Sequence, residues 1–245
     1  MSAVIATFLT TLYGFYNTIF QPILALGPYI ALGVFSAALA LIFSLIYWYL
    51  LDIEKQDELK EKINKHQDKM KEARKENNSD KASDHMQRTM EFNQKMMMLN
   101  FKPMIATMVF VALIFPWLGS TFGPAIHMNQ VSNTTYTGNF TYAGQSKPIE
   151  VVNDTNMTVR FDGNTTHVKN GEINAYGVNW DITGFGTTSP GMFSTYSGKV
   201  LHMNARFVDL PFSIPLAGEA LNWLGYYILI AMPLTFIFRK LLGVA

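Results

Sequence analysis

Cysteine is absent from the chain, which excludes disulfides, thiol catalysis and Cys-ligated metals. Any part that folds outside a membrane must therefore hold by packing alone. Charge is also scarce. Only 15% of residues are Asp, Glu, Lys or Arg, against roughly 25% in soluble domains, and the first charged side chain is Asp52. The five histidines (His66, His85, His127, His167 and His202) are scattered, with no H-x-x-x-H or HExxH arrangement. No nucleophile elbow, phosphate-binding loop or GxGxxG occurs. The long apolar runs hold no carboxylate apart from Glu219 near one end, and no Lys or Arg. Ionisable groups inside a span are the mark of pumps and ion pathways, so a pump is disfavoured. These gaps leave no catalytic, cofactor-binding or metal-binding residue to name, and the expectation is a non-enzyme without a cofactor.

What is present begins with Asp52–Lys102, which holds twelve of the nineteen Lys and Arg and eleven of the eighteen Asp and Glu. The signs are interleaved, so the net charge of +1 gives no reason to expect specific nucleic-acid recognition. Asp52 to about Lys75 reads as a helix with Ile53, Leu59, Ile63, Met70 and Ala73 near a heptad stripe and with i,i+4 pairs Glu58–Lys62 and Glu61–Lys65. Asn77-Asn78-Ser79-Asp80 is a turn cluster. A return helix from Ser83 to about Phe101 would pack Met86, Met90, Asn93 and Met97 on the outgoing one, giving an antiparallel coiled-coil hairpin.

Three apolar runs flank and follow this hairpin: residues 28–51, 103–122 and 218–238. Each matches the roughly 20 residues that cross a hydrocarbon core. Tyr47, Trp48 and Tyr49 form an aromatic belt at the end of the first. Gly33, Ser36, Ala37, Ala40 and Ser44 make a small-residue stripe along it, suited to helix packing and equally to a mildly polar groove wall. Pro103 fits the first position of the second run, and Pro116 should kink it. Before these runs, Ile5, Phe8, Leu9, Leu12, Phe15, Tyr16, Ile19 and Phe20 share one helical face, and uncharged polar residues including Asn17, Thr18 and Gln21 share the other. That pattern predicts an interfacial amphipathic helix, broken at Gln21-Pro22. A basic n-region and a cleavage site are both missing, so the start does not read as a signal peptide.

Between 123 and 215 Asn, Thr, Gly and Ser dominate, with alternating segments at Asn139–Tyr142, Ile149–Val152, Met157–Phe161, Val178–Ile182 and Val200–Val208. The reading is a small all-β domain, sandwich or partial barrel. Five Asn-x-Thr sequons, at Asn133, Asn139, Asn153, Asn156 and Asn164, suggest an extracytoplasmic, glycosylated surface. The Lys/Arg bias sets the hairpin in the cytosol. The N-terminus and β-domain then lie outside, and the C-terminus after Arg239-Lys240 lies inside.

The fold class is thus an α-helical membrane protein. It has an interfacial helix (1–27), transmembrane helix 1 (28–51), a cytosolic coiled-coil hairpin (52–102) and transmembrane helix 2 (103–122). An extracytoplasmic β insertion (123–215) and transmembrane helix 3 with a short tail (216–245) follow. Met86, Met90, Met96, Met97, Met98, Met104 and Met108 stand where the hairpin re-enters the membrane. Met is unbranched and polarizable, so such a lip can either fill interface gaps or accept many apolar shapes.

An N-out span, a cytosolic hairpin, the Met-rich re-entry at Lys95–Lys102 with Pro103, a span ending Phe115-Pro116-Trp117 and a last span with a basic tail resemble the YidC/Oxa superfamily of membrane-protein insertases. The three-span archaeal YidC-like proteins are the nearest in plan. The resemblance covers residues 1–122 and 216–245. It implies contact with ribosomes and nascent membrane proteins at the hairpin. It also implies transfer of hydrophobic segments along a groove open to cytosol and lipid, here lined by Ser36, Ser44, Thr107, Asn222 and Thr235. Two departures stand out: no Arg lies within a span, where bacterial members have one, and a β-domain replaces two core spans. The competing reading is a receptor or scaffold whose β-domain binds a ligand or envelope partner of unknown kind.

Overall fold

The computed structural model describes residues 2–169, 171–189, 196–214 and 218–244. The side chains of Ile5 and Glu219, and Pro215, lie outside the described residues. The chain forms two compact units, residues 1–38 with 113–231 and residues 39–112 with 232–245. Among the described residues, three helices are long and apolar enough to cross a membrane: α2 (Pro28–Leu50), the apolar part of α4 (Ser79–Phe122) and α5 (Trp223–Leu241).

In the first unit, α1 (Ser2–Leu24) does not break at Gln21-Pro22. Pro22 falls in the last turn, where its missing N–H forfeits one bond, and the Ala25 N–H still reaches the Gln21 carbonyl at 2.9 Å. The chain turns instead at Gly27, whose φ of +96° suits glycine. The apolar face of α1 is divided. Tyr16 and Phe20 pack on Trp117 of α4 with ring centroids 5.4 and 5.3 Å away, and Phe20 meets Phe35 of α2 at 5.0 Å. Phe8, Phe15 and Ile19 stay exposed. The Trp117 indole N–H donates to Asn17 Oδ1 at 2.9 Å, so part of the polar face turns inward.

The β-domain is larger than the small insertion expected. Among the described residues nine strands, β1 (Ala125–Gln130), β2 (Thr135–Tyr142), β3 (Gln145–Val152), β4 (Thr158–Phe161), β5 (Asn164–His167), β6 (Glu172–Ala175), β7 (Val178–Thr188), β8 (Gly198–Ile214) and β9 (Gly218–Asn222), form one antiparallel sheet. Their order is β5-β4-β3-β2-β1-β8-β7-β6, with β9 also on β8. Three tight hairpins set the register: Ala143-Gly144, Asp162-Gly163 and Tyr176-Gly177 all have positive φ at both positions, the mirror-image turn that matches strand twist. The sheet curls until β5 and β6 face each other across a 260 Å³ cleft lined by Val159, Phe161, Asn164 and Ile173, nearly closing a barrel. Phe140, Trp180, Ile149, Val151, Val159 and Leu201 fill its interior. The Tyr176 hydroxyl bonds the Phe140 and Gln145 carbonyls at 3.0 and 3.1 Å, tying one hairpin turn to another.

The last helix starts at Trp223, not at 218, because residues 218–222 pair with β8. Asn222 Oδ1 accepts from the Leu224 and Gly225 N–H groups, both at 3.1 Å, and so caps α5.

In the second unit, α3 (Ile53–Lys75) is capped by Asp52, whose carboxylate accepts from the Lys55 N–H at 3.0 Å. It ends at Asn77, which has φ +55°, and the Asn78 N–H bonds the Ala73 carbonyl at 2.9 Å. Asn78 in turn caps α4 through the Lys81 N–H. The return helix and the second span were expected as two elements parted at Pro103. They are one helix of 44 residues that runs through Pro103 and Pro116. Each proline costs one backbone bond among about forty, and membrane helices tolerate that loss.

Candidate functional site

Burial along the hairpin separates two faces of α4. On α3 one row of buried or half-buried positions runs through Gln56, Leu59, Ile63, His66, Met70 and Ala73, with Ile53 and Gln67 half-buried beside it. On the hairpin part of α4 the matching row runs through Ala82, His85, Thr89, Phe92, Met96 and Leu99, with Asn100 half-buried beside it. Both rows alternate steps of three and four. Contacts fix the antiparallel register: His66 meets His85 with Nδ1 atoms 3.2 Å apart, and its ring lies 5.5 Å from that of Phe92. Burial in this seam, the neighbouring His85 and the charges of Arg88 and Lys69 hold the His66 pKa below its ordinary value. The expected seam of Met86, Met90, Asn93 and Met97 is therefore corrected by one helical step. Near the turn, Ala82, His85 and Thr89 occupy the inward row in place of Met86 and Met90.

The displaced methionines form the second face. Met86, Met90, Asn93, Met97, Phe101, Met104 and Met108 follow one another at steps of three or four along α4, and all are exposed. Met97 and Met108 are 69% and 68% exposed, so nothing among the described residues covers them. The stripe runs for roughly 33 Å at the rise of a helix, from charged into uncharged sequence without a break. Phe101 belongs to it although the sequence reading missed it; its place four residues after Met97 and three before Met104 was the available signal. Of the other predicted lip residues, Met96 is half-buried in the seam and Met98, 73% exposed, points elsewhere.

The five residues expected to line a groove are placed as follows. Ser36 and Ser44 are fully buried, and each hydroxyl donates 2.7 Å back to its own helix, at the Leu32 and Ala40 carbonyls. Thr107 is half-buried and bonds the Met104 carbonyl at 2.9 Å. Asn222 is exposed and caps α5, and Thr235 is half-buried. Ser36 and Asn222 belong to the first unit, the other three to the second. The stated absence of Arg from the spans also changes. Helix α5 extends to Leu241, so Arg239 lies within it, with its guanidinium carbon 4.0 Å from the centroid of the Tyr47 ring. The Arg239 Nε is buried without a hydrogen-bond partner among the described residues.

Among the sequons, Asn133, Asn139, Asn156 and Asn164 are exposed and Asn153 is half-buried. Among the described residues, no three His, Asp or Glu side chains are grouped to hold a metal ion.

The family model described as "Integral membrane protein EMC3/TMCO1-like" matches residues 17–157, more than half of the chain. Comparison with the curated proteins and with the solved structures found no match.

Proposed function

Because the chain belongs to the EMC3/TMCO1-like family of integral membrane proteins, itself part of the Oxa1/YidC/Alb3 insertase superfamily, we propose that it is a membrane-protein insertase or chaperone. It receives hydrophobic segments of nascent chains on the Met stripe of α4 and delivers them to the bilayer beside the apolar helices. The observation that carries this reading is the uncovered, continuous run from Met86 to Met108. An adaptable thioether surface suits clients of many shapes. It also lowers the exposure of an apolar segment before the segment reaches hydrocarbon.

In this reading the hairpin is a cytosolic coiled coil that also meets the ribosome, the N-terminus and β-domain lie outside, and the C-terminus lies in the cytosol. The three-span archaeal YidC-like proteins are the proposed branch. No bond is made or broken, so the role is not enzymatic and calls for no cofactor. Ser36 and Ser44 face helix packing, so the hydrophilic path is assigned to Arg239, Thr107 and Thr235 and to carbonyls freed at the prolines.

The test is photocrosslinking from probes at Met97 and Met108 to stalled ribosome–nascent chains bearing a short apolar segment. Crosslinks at both sites, lost when the segment is made polar, are the expected result. Silence at both sites in correctly inserted protein would overturn the reading.

A further inference from the structure

A second feature of the hairpin lies at its base. A cleft of about 670 Å³ is lined by Leu50, Leu59, Phe92, Met98 and Leu99 together with Lys55, Lys62, Lys95 and Lys102, against Asp52 and Glu58. Two of the four lysines are already committed. Lys62 pairs with Glu58 and Lys95 with Glu91, and both ammonium groups lie over the Phe92 ring, 5.9 and 5.5 Å from its centroid. Among the described residues, Lys55 and Lys102 have no carboxylate in ion-pair range, and both are exposed. The Asp52 carboxylate is used as the cap of α3.

The position of the cleft in the chain restricts its ligand. Leu50 closes the apolar run of α2 and Asp52 is the first charge. Lys102 is the last charge before the apolar run of α4. Both helices therefore pass from apolar to charged sequence at this cleft, and any bilayer that holds them sets it at headgroup depth. A basic pocket at that depth with an apolar floor matches an anionic amphiphile. We propose that this cleft binds one anionic membrane lipid, with its phosphate on Lys55 and Lys102 and the start of an acyl chain on Leu50, Met98 and Leu99. The site is independent of the Met stripe: it lies on the flank of α4 that carries Met98, and no client is needed to fill it.

The experiment uses the full chain, purified and equilibrated with phosphatidylglycerol and phosphatidylcholine of identical acyl chains, and reads retained lipid by native mass spectrometry. Wild type should keep one phosphatidylglycerol in preference to phosphatidylcholine. Lys55→Gln with Lys102→Gln should cut that retention on the order of tenfold, whereas Lys60→Gln with Lys71→Gln, an equal loss of charge outside the cleft, should leave it unchanged. Equal retention of the two lipids, or an equal fall in the control, would overturn the site. Displacement of the lipid by soluble glycerol phosphate at matched concentration would make it a site for free phosphate and overturn the lipid assignment. A phosphatidylglycerol carrying a photoreactive chain needs no variant. Label concentrated on the peptide holding Met98 and Leu99 is expected, and label spread evenly over the apolar helices would refute the proposal.

Discussion

The Nδ1 atoms of His66 and His85 face each other at 3.2 Å across the hairpin seam, one ring donating the hydrogen bond and the other accepting it. Asp84 is the nearest carboxylate, 4.0 Å from His85, and Arg88 and Lys69 add positive charge nearby. The His66 pKa is lowered in the fold. As pH falls, the unfolded chain therefore takes up this proton first, near pH 6.5. Below that value the unfolded state binds more protons, so folding stability drops with acidification; above it the contribution is fully present. Amide exchange in α3 and the hairpin part of α4 should accelerate between pH 7.5 and 5.5 beyond its intrinsic pH dependence. His66→Gln should flatten that excess, and an unchanged excess would remove His66 as its source.

Seam and stripe should respond differently to truncation. Phe92→Ala removes a half-buried ring and should cost roughly 2 kcal/mol, below the 3–5 of a fully buried one. Met97→Gln touches an exposed side chain and should change stability by less than about 0.5 kcal/mol, while weakening crosslinking to apolar nascent segments several-fold. Thermal unfolding and crosslink yield, measured on the same two proteins, separate the effects.

The bond from Trp117 to Asn17 joins α1 to the end of α4. Trp117 is almost wholly buried, so Asn17→Ala strands its N–H and should destabilise the first unit by about 1–3 kcal/mol. Asn17→Gln restores an acceptor and should recover part of the loss. Indole fluorescence and the midpoint of thermal unfolding report both changes.

The orientation proposed above is open to a mass measurement. With the β-domain on the glycosylating side, Asn139, mid-strand on β2 and exposed, should carry glycan, as should Asn133, Asn156 and Asn164. Enzymatic deglycosylation should lower the mass of protein from its own host, and Asn139→Gln should remove one increment. Unmodified asparagines at all four positions in that protein would count against this orientation.

Three apolar runs were legible because span length alone selects them. Four of the five alternating segments, around Phe140, Val151, Trp180 and Leu201, fall within strands, and the fifth, Met157–Phe161, does so from Thr158 on, since apolar/polar alternation is the signal of a half-buried sheet. β5, with Asn164-Thr165-Thr166, is polar, and β6, Glu172–Ala175, alternates over only four residues, so these two short strands that finish the curl do not stand out from the loops beside them. The rotation of α4 was also hidden. Hydrophobicity ranks Met86 and Met90 above Ala82 and Thr89, yet Ala82 and Thr89 are the buried pair and the two methionines are exposed. Groove residues were read from polarity, yet Ser36 and Ser44 satisfy their hydroxyls on their own helix. Polarity in the sequence does not say where a hydrogen bond is spent.

In the proposed function, the unbroken course of α4 would act as a ruler. The exposed row from Met86 to Met108 measures roughly 33 Å, the length of a helical segment just able to cross a hydrocarbon core of about 30 Å. A client helix of some twenty residues laid along it would find a sulfur or aromatic contact at each turn but that of Asn93, and a segment half as long would leave the far marks unread. Discrimination by length would then need no recognition of sequence at all.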